Sequence, residues 1–238
     1  MTDALRIFRE RVAEMEAYCA FIQDVEKGCI LLHDKDGVLA YTTADQSSLL
    51  ITSKAHLFLL LYNLMESSVD NGIREILDQL IDRRVAFDKC CDNIRRFLVF
   101  CLGKQNLGKR DRLEKVILGD HEITRDVIYC DVIYKRSKNA NKWITNIPIS
   151  SGNVTKETIV KLSDNYGFSA PGVDGQYLST VTDIRNDLAH GNRSFSEVGR
   201  DYTIERIFEI KANVIAYLDA LLTNIAKYIQ EQQYLATP

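Results

Sequence analysis

Apolar residues in the first segment recur at alternating spacings of three and four: Leu5, Phe8, Val12, Met15, Cys19 and Ile22. That period lays them along one stripe of a helix running roughly over 3–26. Arg6, Arg9, Glu10, Arg11, Glu14 and Glu16 fill its other faces, and Gly28 is placed to end it. Ser53 is suited to cap a second long helix, in which Leu57, Leu60, Leu61, Leu64, Val69, Ile73, Ile76, Leu77, Leu80 and Ile81 keep helical spacing to about Asp82. Its first half is apolar nearly all round, which predicts the most buried element of the fold. Asn63 and Glu66 are the exceptions; Glu66 sits either at the edge of the stripe or against a cation. A third helix is predicted over about 86–103, with Phe87, Cys90, Ile94, Phe97, Leu98 and Cys101 inward.

Between and after these lie less regular stretches. Cys29–His33, Asp34-Lys35-Asp36-Gly37 and Val38–Tyr41 read as a small hairpin with an Asp-Gly turn. His33, Asp34 and Asp36 lack the further spaced ligands and late glutamate of a calcium loop, so turn chemistry is the reading. The polar, basic stretch 104–126 precedes Val127–Tyr134, rich in β-branched and aromatic residues, and Lys142–Ile147 has the same character. These are either a hairpin across 135–141 or extended loop segments. Thr155 caps a short helix to about Tyr166, and a further helix from about Gln176 carries Leu178, Val181, Ile184 and Leu188 inward. After a loop over 191–202, Thr203 caps a last long helix with Ile207, Ile210, Val214, Leu218, Leu221, Ile225 and Tyr228 as its stripe. The expected fold is therefore all-α: an antiparallel bundle of four to five core helices in one domain over 1–238, with small hairpin or loop insertions at about 28–52 and 104–150.

Composition changes this picture little. Only three prolines interrupt 238 residues, which leaves room for long helices. A net charge of −3 provides no global basic field, so any nucleic-acid site must be local. The N-terminus has no long apolar signal core, and the run Leu57–Tyr62 is far shorter than a membrane span; a soluble cytoplasmic protein is the expectation. Six cysteines at 19, 29, 90, 91, 101 and 130 show no Cys-x-x-Cys spacing, so buried thiols rather than a zinc site are expected, and no metal or cofactor is implied.

The candidate chemistry sits in Arg185-Asn186-Asp187-Leu188-Ala189-His190-Gly191. Arg185 and His190 lie five positions apart, which on an ideal helix turns them about 140° from one another. Gly191 can take the left-handed conformation that ends a helix, leaving His190 in the last turn. A cation, an amide, a carboxylate and an imidazole thus crowd one exposed helix end. The spacing alone is weak: with 16 arginines and 4 histidines, an Arg-x4-His match arises by chance about 0.3 times in such a chain. Its position at a tip between two bundle helices carries more weight.

This heptapeptide, placed before a long amphipathic C-terminal helix, resembles the Arg-polar-x(3–5)-His signature of the HEPN (higher eukaryotes and prokaryotes nucleotide-binding) superfamily. The apolar stretch Leu57–Ser67 resembles that family's central helix, and Ser150–Val154 and Phe195–Thr203 look like segments of its stand-alone toxin and defence branch. The resemblance implies a metal-independent endoribonuclease acting on RNA as a homodimer, often a toxin or phage-defence factor beside a cognate antitoxin. It also implies Arg185 and His190 as the catalytic pair and Asn186 as the polar residue after the arginine. Asp187 and Arg193 are candidates for support and substrate positioning. The alternatives are a non-catalytic dimerisation or antitoxin-binding module, and a nucleotide-binding regulator. Basic surface for RNA would come from Arg83-Arg84, Arg95-Arg96, the run Lys104 to Lys115, or Lys135-Arg136-Lys138.

Overall fold

The hydroxyl of Thr2 accepts the backbone N–H of Leu5, and the Glu75 carboxylate accepts those of Asp3 and Ala4, so the first turn of α1 (Asp3–Glu26) has its free donors satisfied. Leu5, Phe8, Met15, Cys19 and Ile22 are buried along α1, as the stripe requires, with Val12 half-buried beside them. The computed structural model describes residues 2–28, 43–83, 85–97, 134–136, 143–145 and 153–236.

The second helix, α2 (Thr43–Asp82), begins ten residues before Ser53 and packs against four other helices. Polar residues such as Gln46, Ser47 and Ser48 tolerate a helix without announcing one, which is why periodicity placed the start too late. Phe58, Tyr62 and Met65 are buried as fully as Leu57, Leu61 and Leu64, in keeping with a helix covered on several sides. Leu60 departs from the predicted stripe: it is 39% exposed and lines a shallow groove with Arg11, Glu14, Met15, Asn63 and Leu64. Glu66 is half-buried, with no ion pair among the described residues, as a position at the stripe's edge would give. Gln46–Leu80 is long and apolar enough to cross a membrane by composition; here its inward faces form the core against neighbouring helices.

The predicted third helix starts later than its apolar spacing suggests. Phe87–Lys89 form a 3-10 turn, and Cys90 bridges antiparallel to Leu235. The Cys91 N–H donates to the Tyr234 carbonyl (2.9 Å) and the Ala236 N–H to the Lys89 carbonyl (2.8 Å). Those bonds commit the backbone of 89–91 to the C-terminal segment, so among the described residues the helix starts at 92 and is seen to 97. Positions 98–103 of that prediction lie outside the described residues, as do the 29–41 hairpin and the basic run 104–126. Strands β1 (Tyr134–Arg136) and β2 (Trp143–Thr145) pair antiparallel, the hairpin alternative of the two readings.

Helix α3 (Lys156–Tyr166) is capped by Thr155, and α4 (Gln176–His190) buries Leu178, Val181, Ile184 and Leu188. The stretch expected as a loop after Gly191 contains a helix, α5 (Phe195–Asp201), nucleated by a reciprocal capping box between Ser194 and Glu197. The Ser194-x-x-Glu197 spacing was its sequence signal. Finally, α6 (Ile204–Gln230), capped by Thr203, buries every residue of its predicted stripe and adds Lys211, whose ammonium pairs with Glu16 on α1. The fold is all-α in class, with α2 and α6 at its centre and α1, α4 and α5 packed on them.

Candidate functional site

The C-terminus of α4 closes as the glycine predicts. Gly191 has φ +71°, and the Asp187 carbonyl accepts the N–H groups of Asn192 (2.9 Å) and Arg193 (3.4 Å). Because the chain turns there in the left-handed region, it leaves the helix axis at once and His190 stands exposed in the last turn. Among the described residues the His190 side chain has no hydrogen-bond partner.

Arg185 lies half-buried, further back along α4. Its guanidinium carbon stands 4.3 Å from the centroid of the Tyr62 ring on α2, and its Nη1 donates to Asn186 Oδ1 at 2.9 Å. Tyr62 is fully buried, so the cation rests on a floor that cannot move away. Burial pushes the Tyr62 phenol up, as does the nearby Glu66 carboxylate, while Arg185 and a backbone hydrogen bond from Val154 pull it down. The phenol therefore stays neutral, with its ring as the surface Arg185 sees. Asn186 in turn donates through Nδ2 to Asn153 Oδ1 (3.0 Å), and the Thr182 hydroxyl donates to the Val154 carbonyl (2.6 Å). Residues 153–154 thus fasten the entrance of α3 to the same face of α4 that carries the arginine.

The remaining predicted residues take less direct places. Asp187 is half-buried and accepts from the Asn192 amide at 3.5 Å, a contact that belongs to the helix end. Arg193 is ion-paired with Asp201 on α5, so its charge is already engaged. Arg185 and His190 share the helix end without a hydrogen bond between them, as their angular offset on α4 requires. Sequence reasoning missed two residues of the Arg185 surroundings, Tyr62, whose position in an apolar run marked it only as core, and Asn153, and also His56 at the contact of α2 with α5. The His56 ring stacks on Phe195 at the start of α5 (centroids 4.6 Å apart), and its Nδ1 lies 2.9 Å from the Thr52 carbonyl. A carbonyl only accepts, so Nδ1 carries the proton and Nε2 is the nitrogen left open. Tyr62 and Asn153 lie in segments that resemble the family, but no local pattern singles out any of these three side chains, because each makes its contacts across elements.

Among the described residues, no group of three His, Cys, Asp or Glu side chains is placed to hold a metal. Of the predicted basic patches, Arg95 is held by Asp92, and Arg83 lies over the Tyr234 ring at 6.0 Å; the Lys104–Lys115 run lies outside the described residues. Along α4 and α5, Arg185, Arg193 and Arg200 alternate with Asp183, Asp187, Glu197 and Asp201, so cationic groups are present without a run of one sign.

No curated protein and no solved structure matches this chain. A family model does: the one described as HEPN_MAE_28990-like HEPN matches residues 5–234, from the first turn of α1 to the C-terminal segment beyond α6. That match takes in the whole helical core and the Arg185–Gly191 segment, and the chain belongs to the HEPN superfamily, in its HEPN_MAE_28990-like family.

Proposed function

We propose that this protein is a metal-independent endoribonuclease whose working groups are Arg185 and His190, assembled across a homodimer. The observation that carries the reading is the helix end itself. An exposed imidazole with no hydrogen-bond partner among the described residues stands at a glycine-terminated tip, and a guanidinium on the same helix is held against a buried aromatic floor. Metal-free cleavage lets the ribose 2′-oxygen attack the adjacent phosphorus while the bond to the 5′-oxygen breaks. The 2′-hydroxyl proton goes to a base, a proton reaches the leaving 5′-oxygen, and a cyclic phosphate remains. Histidine titrates near neutrality and suits both proton steps; the guanidinium fork matches two oxygens of the phosphorane and remains charged. One tip exposes one His190. A two-fold pairing of tips would supply two imidazoles and two guanidinium groups to one phosphate, which is the argument for a composite site. Asn186 holds Arg185 directly, Asp187 shapes the helix end, and Arg193 would reach substrate only by leaving Asp201. In this reading the protein is a cytoplasmic toxin or phage-defence effector, with a cognate antitoxin or defence partner controlling it.

The test is RNA cleavage by purified protein in EDTA. Activity should persist with chelator, and His190→Ala should lower the rate by about 100- to 10,000-fold. Arg185→Lys keeps the charge but not the planar fork and should retain only part of the rate. Mixed dimers with one wild-type and one His190→Ala subunit should lose most activity; full retention would refute sharing. Binding of RNA or nucleotide without cleavage, or dimerisation with neither, would replace the nuclease by a binding module.

A further inference from the structure

The Arg185 guanidinium reaches Asn153 through one intermediate. A guanidinium only donates, so the Asn186 atom facing Nη1 at 2.9 Å must be the amide oxygen. The Asn186 NH2 then points the other way and meets Asn153 at 3.0 Å, where only an oxygen can receive it. Two donor–acceptor choices are therefore forced in sequence, and an amide flip at either asparagine would set like groups face to face. Asn153 is itself anchored although its side chain is exposed. Its carbonyl accepts the Thr158 hydroxyl (3.2 Å), and the adjoining Val154 is fully buried, with its carbonyl bonded to the Thr182 hydroxyl and its backbone to Tyr62. Tyr62 is also the ring beneath the guanidinium. One short segment thus fixes both the plane on which Arg185 lies and the amide that holds its edge.

We infer that Asn153 is a positioning residue: through Asn186 it sets the orientation of the Arg185 guanidinium toward substrate phosphate. The catalytic consequence rests on the ribonuclease reading above; the positioning itself does not. With Asn153 truncated, the Asn186 amide is free to turn, and Arg185 keeps its stacking floor but loses its in-plane orientation. Small misplacements of a phosphate-binding group lower rates by about 10- to 100-fold while the fold persists.

The experiment uses the full chain in four forms: wild type, Asn153→Ala, Asn153→Asp and Asn153→Leu. Rotation of the Arg185 guanidinium is followed by NMR of its side-chain nitrogens, and RNA cleavage is measured as kcat and KM separately. Asn153→Ala should speed the rotation and lower kcat. Asn153→Asp, which still accepts from the Asn186 NH2, should restore both. Asn153→Leu keeps the size of the side chain but offers no acceptor and should lose the restraint again. Should Asn153→Ala fail to fold, Asn153→Asp against Asn153→Leu makes the same comparison with no side chain truncated. Guanidinium rotation indifferent to Asn153→Ala and to Asn153→Leu would overturn the inference. The expected rotation pattern in a protein that cleaves no RNA would leave the positioning intact and remove the nuclease reading instead.

Discussion

Replacing Gly199 by alanine should destabilise the protein, although the same change in an ordinary helix interior stabilises. Gly199 lies within α5, where alanine is favoured over glycine by about 1 kcal/mol on helix propensity alone. Here α5 crosses α2 so closely that a Cβ would stand 1.9 Å from the Ile51 carbonyl oxygen and 2.7 Å from its carbon. Both atoms are backbone, so no side chain can turn aside, and α5 must retreat by more than about 1 Å to reach ordinary contact. Retreat loosens what holds α5 in place: the Lys54 hydrogen bond to the Tyr202 carbonyl (2.8 Å), the Phe58–Tyr202 edge contact (4.9 Å) and the His56–Phe195 stack. Overpacking of this kind costs about 1–3 kcal/mol, and loosened aromatic pairs add about 0.5–1.5 kcal/mol each. Set against the propensity gain, the net loss is about 2–3 kcal/mol, a fall in Tm of about 5–10 °C for a chain of this size. Thermal and urea unfolding followed by helical circular dichroism would measure it, with Gly172→Ala, where nothing lies within 4 Å of the added Cβ, as control. A Gly199→Ala protein as stable as wild type, or more so, would refute the close crossing of α2 and α5.

Three further outcomes follow from the same packing. The Lys211 side chain is 11% exposed and that of its partner Glu16 is 51% exposed, so removing the carboxylate strands the charge on the more buried side chain. Glu16→Ala should cost about 1–2 kcal/mol in urea unfolding, after allowance for solvent screening, and more than Lys211→Met; the reverse order would contradict the assignment. Burial, reinforced by the adjacent Cys91, pushes the Cys90 thiol up to about 12. In the folded protein at mildly alkaline pH, Cys90 should resist iodoacetamide and react only on unfolding, as read by peptide mass spectrometry; rapid native labelling would count against its placement. The Ser194 backbone N–H, and then its hydroxyl, hold the Glu197 carboxyl below its ordinary range. That contribution is complete above the unfolded carboxylate pKa and disappears as pH falls through the lower folded value. Glu197→Gln should therefore be less stable than wild type near neutrality, with the difference closing in acid; a gap that does not change with pH would show that the capping box carries no charge-dependent stability.

Much of the bundle was legible because a helix writes its buried face into a local period. The stripes of α1 and α6, the caps Thr155 and Thr203, and the helix end at Gly191 each depend on residues within a few positions of one another. Family membership was readable for the same reason, since the Arg185–Gly191 segment is contiguous. The Ser194–Glu197 box is equally local and marks the start of α5, a helix too short to show an apolar stripe.

What the tertiary structure decided has a different physical origin. Residues 89–91 leave the predicted helix because 234–236 offer their backbone groups better partners, and no periodicity encodes that competition. Lys211 reads as a surface break in the α6 stripe until α1 brings Glu16 to it. Around the candidate site, the sequence named Arg185, Asn186 and His190, but not the ring beneath the guanidinium or the amide that orients it. Tyr62 and Asn153 are placed by the packing of α2, α4 and the entrance of α3, contacts between residues far apart along the chain. Local pattern fixes which face of a helix is apolar; which side chain meets a charged group across that face depends on helix crossings, and these are set only when all the helices pack together.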